Sequence, residues 1–285
     1  MTRTWIWLGI RLDLPEDWEL LQFTRDPAQG RCAFADRYQF RLELDWRSVP
    51  GPPDFGRMMN DYQTKLAGEG MADIEPLRRG AWLGFHGRTA AGVSSRFGRF
   101  LPGRKRLVEL VFPWPRQREA AVEGAILDRV TEELARDDGR QRWCAFGMDL
   151  LVEAEAGLVD CTVQPAHAEL VFAPRRGPDE TRWARRGMVR EWLAMPLDEW
   201  LNRWVGTDAV ERASASRELA GHTVYSLTGR KPRPGLFRRP LFLQAATWLC
   251  PRDGRLYSIS RQTAQAPAAS ALAGDRLVCC PDLQA

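Results

Sequence analysis

The sequence predicts an α+β fold built twice over: two repeated halves, each a mainly antiparallel sheet packed by helices, in the order strands, helix, strands, helix. Three observations predict it. A chain of 285 residues is long for one compact domain and comfortable for two. Runs that alternate with period two are interleaved with runs of helical spacing, and few connections are long enough for parallel crossovers. Landmarks of the first half also recur in the same order in the second.

The elements follow in chain order. Residues 5–9 (WIWLG) are matched by residues 143–147 (WCAFG), and each glycine leads into a second apolar run. Residues 31–34 are matched by residues 167–172, both read as strands. Residues 40–46 (FRLELDW) alternate strictly, as a half-buried strand does, and their counterpart ends at Trp183. A helix near residues 55–66 is matched by one near 197–205. There Pro196 opens the helix and Leu197, Trp200, Leu201 and Trp204 share one stripe. Residues 84–86 (GFH) are matched to residues 220–222 (AGH), and residues 104–110 to 253–259. Residues 107–112 read as a strand stopped by Pro113 and Pro115. A closing helix is expected over residues 120–134 and another over 267–278, the first with Ala121, Ile126, Val130 and Leu134 at helical spacing. The polar break at residues 137–140 sets the boundary, giving halves 1–138 and 139–285. The surplus of the second half falls in a basic, proline-rich insertion at 230–243.

Composition excludes several classes. Hydrophobic residues are 44% and charged residues 27%, which is ordinary for a folded chain and unlike a disordered or collagen-like one. No run approaches the ~20 apolar residues of a membrane span. The apolar start is too short for a signal-peptide core, so a cytoplasmic location is expected. In that compartment the six cysteines are expected as thiols or metal ligands and not as a disulfide frame. Net charge is +4, with basic and acidic residues mixed along the chain, so nucleic acid is not the expected partner. Only Lys65, Lys105 and Lys231 are lysines, a skew toward arginine read as the codon bias of a GC-rich bacterial genome. Phosphate-loop, dinucleotide-fingerprint, HExxH and GxSxG patterns are all absent from the sequence.

Residues 9–18 (GIRLDLPEDW) resemble the opening strand and turn of PsbP-like domains, which include the photosystem subunit, DcrB-type bacterial proteins and chaperones of secretion-system effectors. The resemblance covers most of residues 1–136. The second half has EAEAG at residues 153–157 in place of that turn, so its resemblance rests on the repeat. What the resemblance implies is binding of other proteins without catalytic residues. A non-catalytic adaptor with an unknown protein partner, monomeric and internally pseudo-symmetric, is therefore the leading expectation, with no cofactor required.

Two sets of residues offer other chemistry. His222, Cys250, Cys279 and Cys280 all lie in the second half. If the closing segment packs on the sheet, these soft donors suit a tetrahedral zinc site. A cysteine nucleophile with His222 as base is the catalytic version of the same cluster. Their spacing matches no zinc motif, and the plainer reading is buried packing thiols with a turn histidine. Cys32 reads as packing alone. The second set, Arg230, Lys231, Arg233, Phe237, Arg238 and Arg239, concentrates positive charge in the insertion. Arginine forks there would take a carboxylate, a phosphate or a nucleic acid, whereas the plainer reading is a solvated loop between strands. The twelve tryptophans are read mainly as core.

Overall fold

A computed structural model describes residues 2–206, 208–233, 239–266 and 276–280. The chain divides into two compact units, Met1–Leu134 and Ala135–Ala285.

The first unit opens with a hairpin of β1 (Thr2–Trp7) and β2 (Ile10–Pro15). A meander follows: β3 (Glu19–Phe23), β4 (Gln29–Ala35) and β5 (Phe40–Ser48). Helix α1 (Phe55–Gly68) leads to a second meander of β6 (Ala72–Arg79), β7 (Trp82–Thr89), β8 (Gly92–Leu101) and β9 (Arg106–Trp114). Helix α2 (Ala120–Leu127) and the short β10 (Thr131–Glu132) complete the unit, and β10 pairs with β2. The two meanders join antiparallel at β5 and β9, giving the order β3-β4-β5-β9-β8-β7-β6.

The second unit opens with β11 (Arg140–Ala145) and β12 (Met148–Glu153). Then come β13 (Ala156–Gln164), β14 (His167–Pro174) and β15 (Glu180–Arg186). Two short helices, α3 (Val189–Trp192) and α4 (Leu197–Trp204), precede β16 (Val210–Leu219), β17 (His222–Lys231), β18 (Leu241–Leu249) and β19 (Leu256–Thr263). The sheet runs β13-β14-β15-β19-β18-β17-β16, the same order as in the first unit.

Each hairpin is pressed onto its sheet by an edge-to-face aromatic pair. Trp5 meets Phe34 at 5.2 Å and 86°, and Trp143 meets Phe172 at 5.0 Å and 70°. The alternation of β9 follows from this arrangement: Val108, Leu110, Phe112 and Trp114 point into the core while the residues between them face outward. Helix α1 is capped by Asp54, whose carboxylate accepts the Arg57 N–H at 3.1 Å. Leu201 of helix α4 and Val205 just after it are buried against Leu227, Leu243 and Ala245.

The α+β expectation is corrected: the described residues hold nineteen strands and four helices, an antiparallel β-rich fold. Two causes are visible. The helix expected over residues 120–134 ends at Leu127, and the chain after it becomes β10. Strands β6 and β16 are polar sheet edges without apolar alternation, so their composition reads as loop. Pro76 is tolerated inside β6 because an edge strand has N–H groups that need no ladder partner. The second closing helix falls mostly on residues 267–275, outside the described residues, and residues 276–280 are not helical. Among the described residues no helix is long and apolar enough to cross a membrane.

Candidate metal centre

The centre is assembled by three pieces of chain. The hairpin of β16 and β17 turns through Ala220 (φ 46°) and Gly221 (φ 75°). Two left-handed residues in succession make the tight turn whose twist matches antiparallel strands, and glycine takes the second place without a Cβ penalty. The turn puts His222 first on β17 and brings the Ala220 carbonyl within 3.0 Å of its Nδ1. With Nδ1–H donating there, Nε2 carries the free lone pair and faces inward.

The second piece is the end of β18. Strands β17 and β18 pair with Tyr225 opposite Thr247, and continuing that register puts His222 across from Cys250. The Cys250 N–H donates to the Arg255 carbonyl at 2.9 Å, fixing the turn into β19.

The third piece is the stretch 276–280. The Asp149 N–H of β12 donates to the Val278 carbonyl at 2.9 Å, and Arg276 lies 3.5 Å from the Asp149 carboxylate. Leu277 and Val278 are buried beside it. This anchoring carries Cys279 and Cys280 to the same end of the sheet as His222 and Cys250.

The four ligand atoms all lie within 4.8 Å of one another. Cys250 Sγ is 3.7 Å from Cys280 Sγ; His222 Nε2 is 3.5 Å from Cys279 Sγ and 3.8 Å from Cys280 Sγ. A tetrahedral zinc with Zn–S of ~2.3 Å and Zn–N of ~2.0–2.1 Å requires S···S of about 3.8 Å and S···N of about 3.6 Å. His222, Cys250 and Cys280 are buried and Cys279 is half-buried. Burial pushes the Cys279 and Cys280 thiols up, since an isolated thiolate is poorly solvated there. A bound cation would supply the opposite charge that such thiolates need. The indole N–H of Trp248 donates to Cys279 Sγ at 3.3 Å, and Trp248 itself stacks on Tyr257 at 6.0 Å. Supporting bonds of this kind, to the sulfur and to the far imidazole nitrogen, hold ligands in place around metals.

All four residues named from the sequence as a metal set are thus brought together. The sequence did not reveal Asp149, Trp248 or the Ala220 carbonyl, which hold them. The match of residues 84–86 to 220–222 is not kept: Gly84 lies inside β7, and it is Trp82 that begins β7 as His222 begins β17. Trp82 donates its indole N–H to the Leu127 carbonyl at 3.0 Å. One unit therefore ties its closing segment with an indole where the other presents soft donors. Cys32 is fully buried on β4 with its thiol pushed up to about 12 by desolvation, as a packing residue should be.

The basic set is partly spent inside the second unit. Arg230 pairs with Glu211 at 3.0 Å and lies 5.1 Å over the Phe242 ring; Lys231 is 3.8 Å from Asp208. Arg230 and Lys231 belong to β17 and not to a loop. Arg233 is half-buried and Arg239 exposed, while Phe237 and Arg238 lie outside the described residues.

A second polar cluster, not singled out from the sequence, lies on the open face of the first sheet. Glu43 and Asp45 of β5 share Arg31, at 3.2 Å and 3.0 Å. Tyr62 of α1 donates to Glu109, and Arg96 donates to the Tyr62 oxygen at 3.0 Å. Burial and the neighbouring Asp45 push the Glu43 carboxyl up to about 7. The i, i+2 spacing of Glu43 and Asp45 was the available signal.

No protein-family model matches the chain, and no curated protein is similar to it.

Proposed function

We propose that this is a zinc-binding protein in which one metal ion, held by His222, Cys250, Cys279 and Cys280, has a structural role. The observation that carries the reading is the convergence of four ligand atoms within 4.8 Å at distances suited to a tetrahedral Cys3His site. Structural zinc sites use four protein ligands, whereas catalytic ones keep a position for water or substrate. The metal fastens residues 276–280 to the ends of β17 and β18, doing in the second unit what the Trp82 to Leu127 bond does in the first. A rigid, metal-tied unit is compatible with the adaptor role expected from the sequence.

Elemental analysis of untagged protein tests the reading, with native mass spectrometry to count ions per chain. One zinc per chain is expected, and cobalt exchanged into the site should give the intense sulfur-to-metal absorption of a tetrahedral thiolate centre. Metal-free protein that takes up no zinc at equimolar addition overturns it.

A further inference from the structure

Three thiolates around one cation are also three reductants in mutual reach. Cys250 Sγ and Cys280 Sγ are in van der Waals contact at 3.7 Å, and a disulfide needs them to close to ~2.05 Å. They belong to different pieces of chain, the end of β18 and the 276–280 stretch, so the bond between them closes a long loop. A bond between the adjacent Cys279 and Cys280 would instead close a small strained ring. Cys279 is further set apart by the Trp248 N–H that its sulfur accepts, whereas His222 Nε2 lies against both Cys279 and Cys280. Its half-buried flank is where a small oxidant enters a centre whose other ligands are buried.

Resting on the zinc reading, we infer that a peroxide converts this centre to a Cys250–Cys280 disulfide and expels the metal. In the first step one of the two zinc-bound thiolates gives an electron pair to a peroxide oxygen. The O–O bond breaks, hydroxide leaves, and a sulfenic acid forms. In the second step the other thiolate attacks that sulfur, the S–S bond forms and a second hydroxide leaves. The two sulfurs have lost two electrons, the peroxide has gained them, and solvent protons turn both hydroxides into water. Zinc is left with His222 and Cys279, two ligands of four, and departs. The 276–280 stretch stays fastened, now by a covalent bond, while Cys279 becomes a free half-buried thiol. The centre thus exchanges one fastening for another and releases an ion in the process.

The test treats the zinc-loaded full chain with one equivalent of hydrogen peroxide in the presence of a chromophoric zinc chelator. Non-reducing peptide mapping with fragmentation between residues 279 and 280 follows. The expected result is release of one zinc per chain, a Cys250–Cys280 cross-link, and recovery of zinc binding after dithiothreitol. Cys279→Ser should keep the cross-link and Cys280→Ser should lose it; should either variant not fold, the wild-type map alone decides. Zinc retained after peroxide is consumed, sulfinic acid without a cross-link, or a bridge through Cys279 overturns this inference and leaves the zinc reading standing. Protein that binds no zinc before peroxide is added overturns both.

Discussion

At the scale of single residues, the two units differ in which side chain follows one tight turn. Trp82 and His222 each begin the strand after a tight turn, and each reaches the segment that closes its unit. That His222, Cys250, Cys279 and Cys280 form a set was legible from residue type, because soft donors are scarce and all four fall in one half. Their meeting was not legible from spacing, since it depends on the register of β17 with β18 and on Asp149 anchoring Val278. Glu43 makes a separate prediction. Its carboxyl is raised from 4.5 to about 7, so between those values the folded unit holds a proton that the unfolded chain has released. Stability is therefore lost as pH rises through that window. Glu43→Gln, which keeps the shape and removes the charge, should melt like wild type near pH 5 and roughly a few degrees higher near pH 8. Parallel melting curves of the two proteins across that range would refute the assignment.

At the scale of elements, the hairpin turns show what sequence patterns reveal and what they hide. WIWLG and WCAFG were legible as paired landmarks because tryptophan and glycine are distinctive, and the structure places Leu8-Gly9 and Phe146-Gly147 at equivalent left-handed turns. The turn at Ala220-Gly221 has the same conformation, but an Ala-Gly pair carries no such flag, and its sequence match at residues 84–86 falls inside β7. The sequence overstates helix content for a related reason. The apolar spacing of residues 120–134 serves a helix for two turns and then β10, and periodicity alone does not mark the change. The turns also separate two costs. A Cβ at Gly221 would meet nothing within 4 Å, so Gly221→Ala bears only the left-handed penalty of about 1–2 kcal/mol. A Cβ at Gly9 would sit 2.3 Å from Arg104 Nε, so Gly9→Ala adds the displacement of that side chain and should cost more. Urea titration of both variants with zinc present checks the order.

At the scale of the whole molecule, two units share one strand order but close differently. The first is closed by α2 and β10 through apolar contact and backbone pairing; in the second, residues 276–280 meet the ends of β17 and β18 at the candidate metal centre. Metal removal should therefore be felt unequally. In hydrogen exchange with a strong zinc chelator, amides of residues 276–280 and of the adjoining ends of β17 and β18 should lose protection, while β7, α2 and β10 keep theirs. Equal loss in both units, or no change in either, would contradict a structural metal. The order of strands was out of reach of the sequence, because the joining pair β5 and β9 is distant in sequence and neither strand announces its neighbour.

That joining pair also sets a timetable for synthesis. Strand β5 leaves the ribosome with one edge unpaired and waits for α1 and three further strands before β9 arrives; β15 waits in the same way for β19. During the wait an open edge invites pairing with another nascent chain. Glu43, Asp45 and Arg47 on β5, and Arg182, Arg185 and Arg186 on β15, place charge along those edges. Charge on an open strand edge disfavours pairing with another chain. Cys279 and Cys280 emerge after every strand of their sheet, so the four candidate ligands are all present only once β16 to β19 have been made.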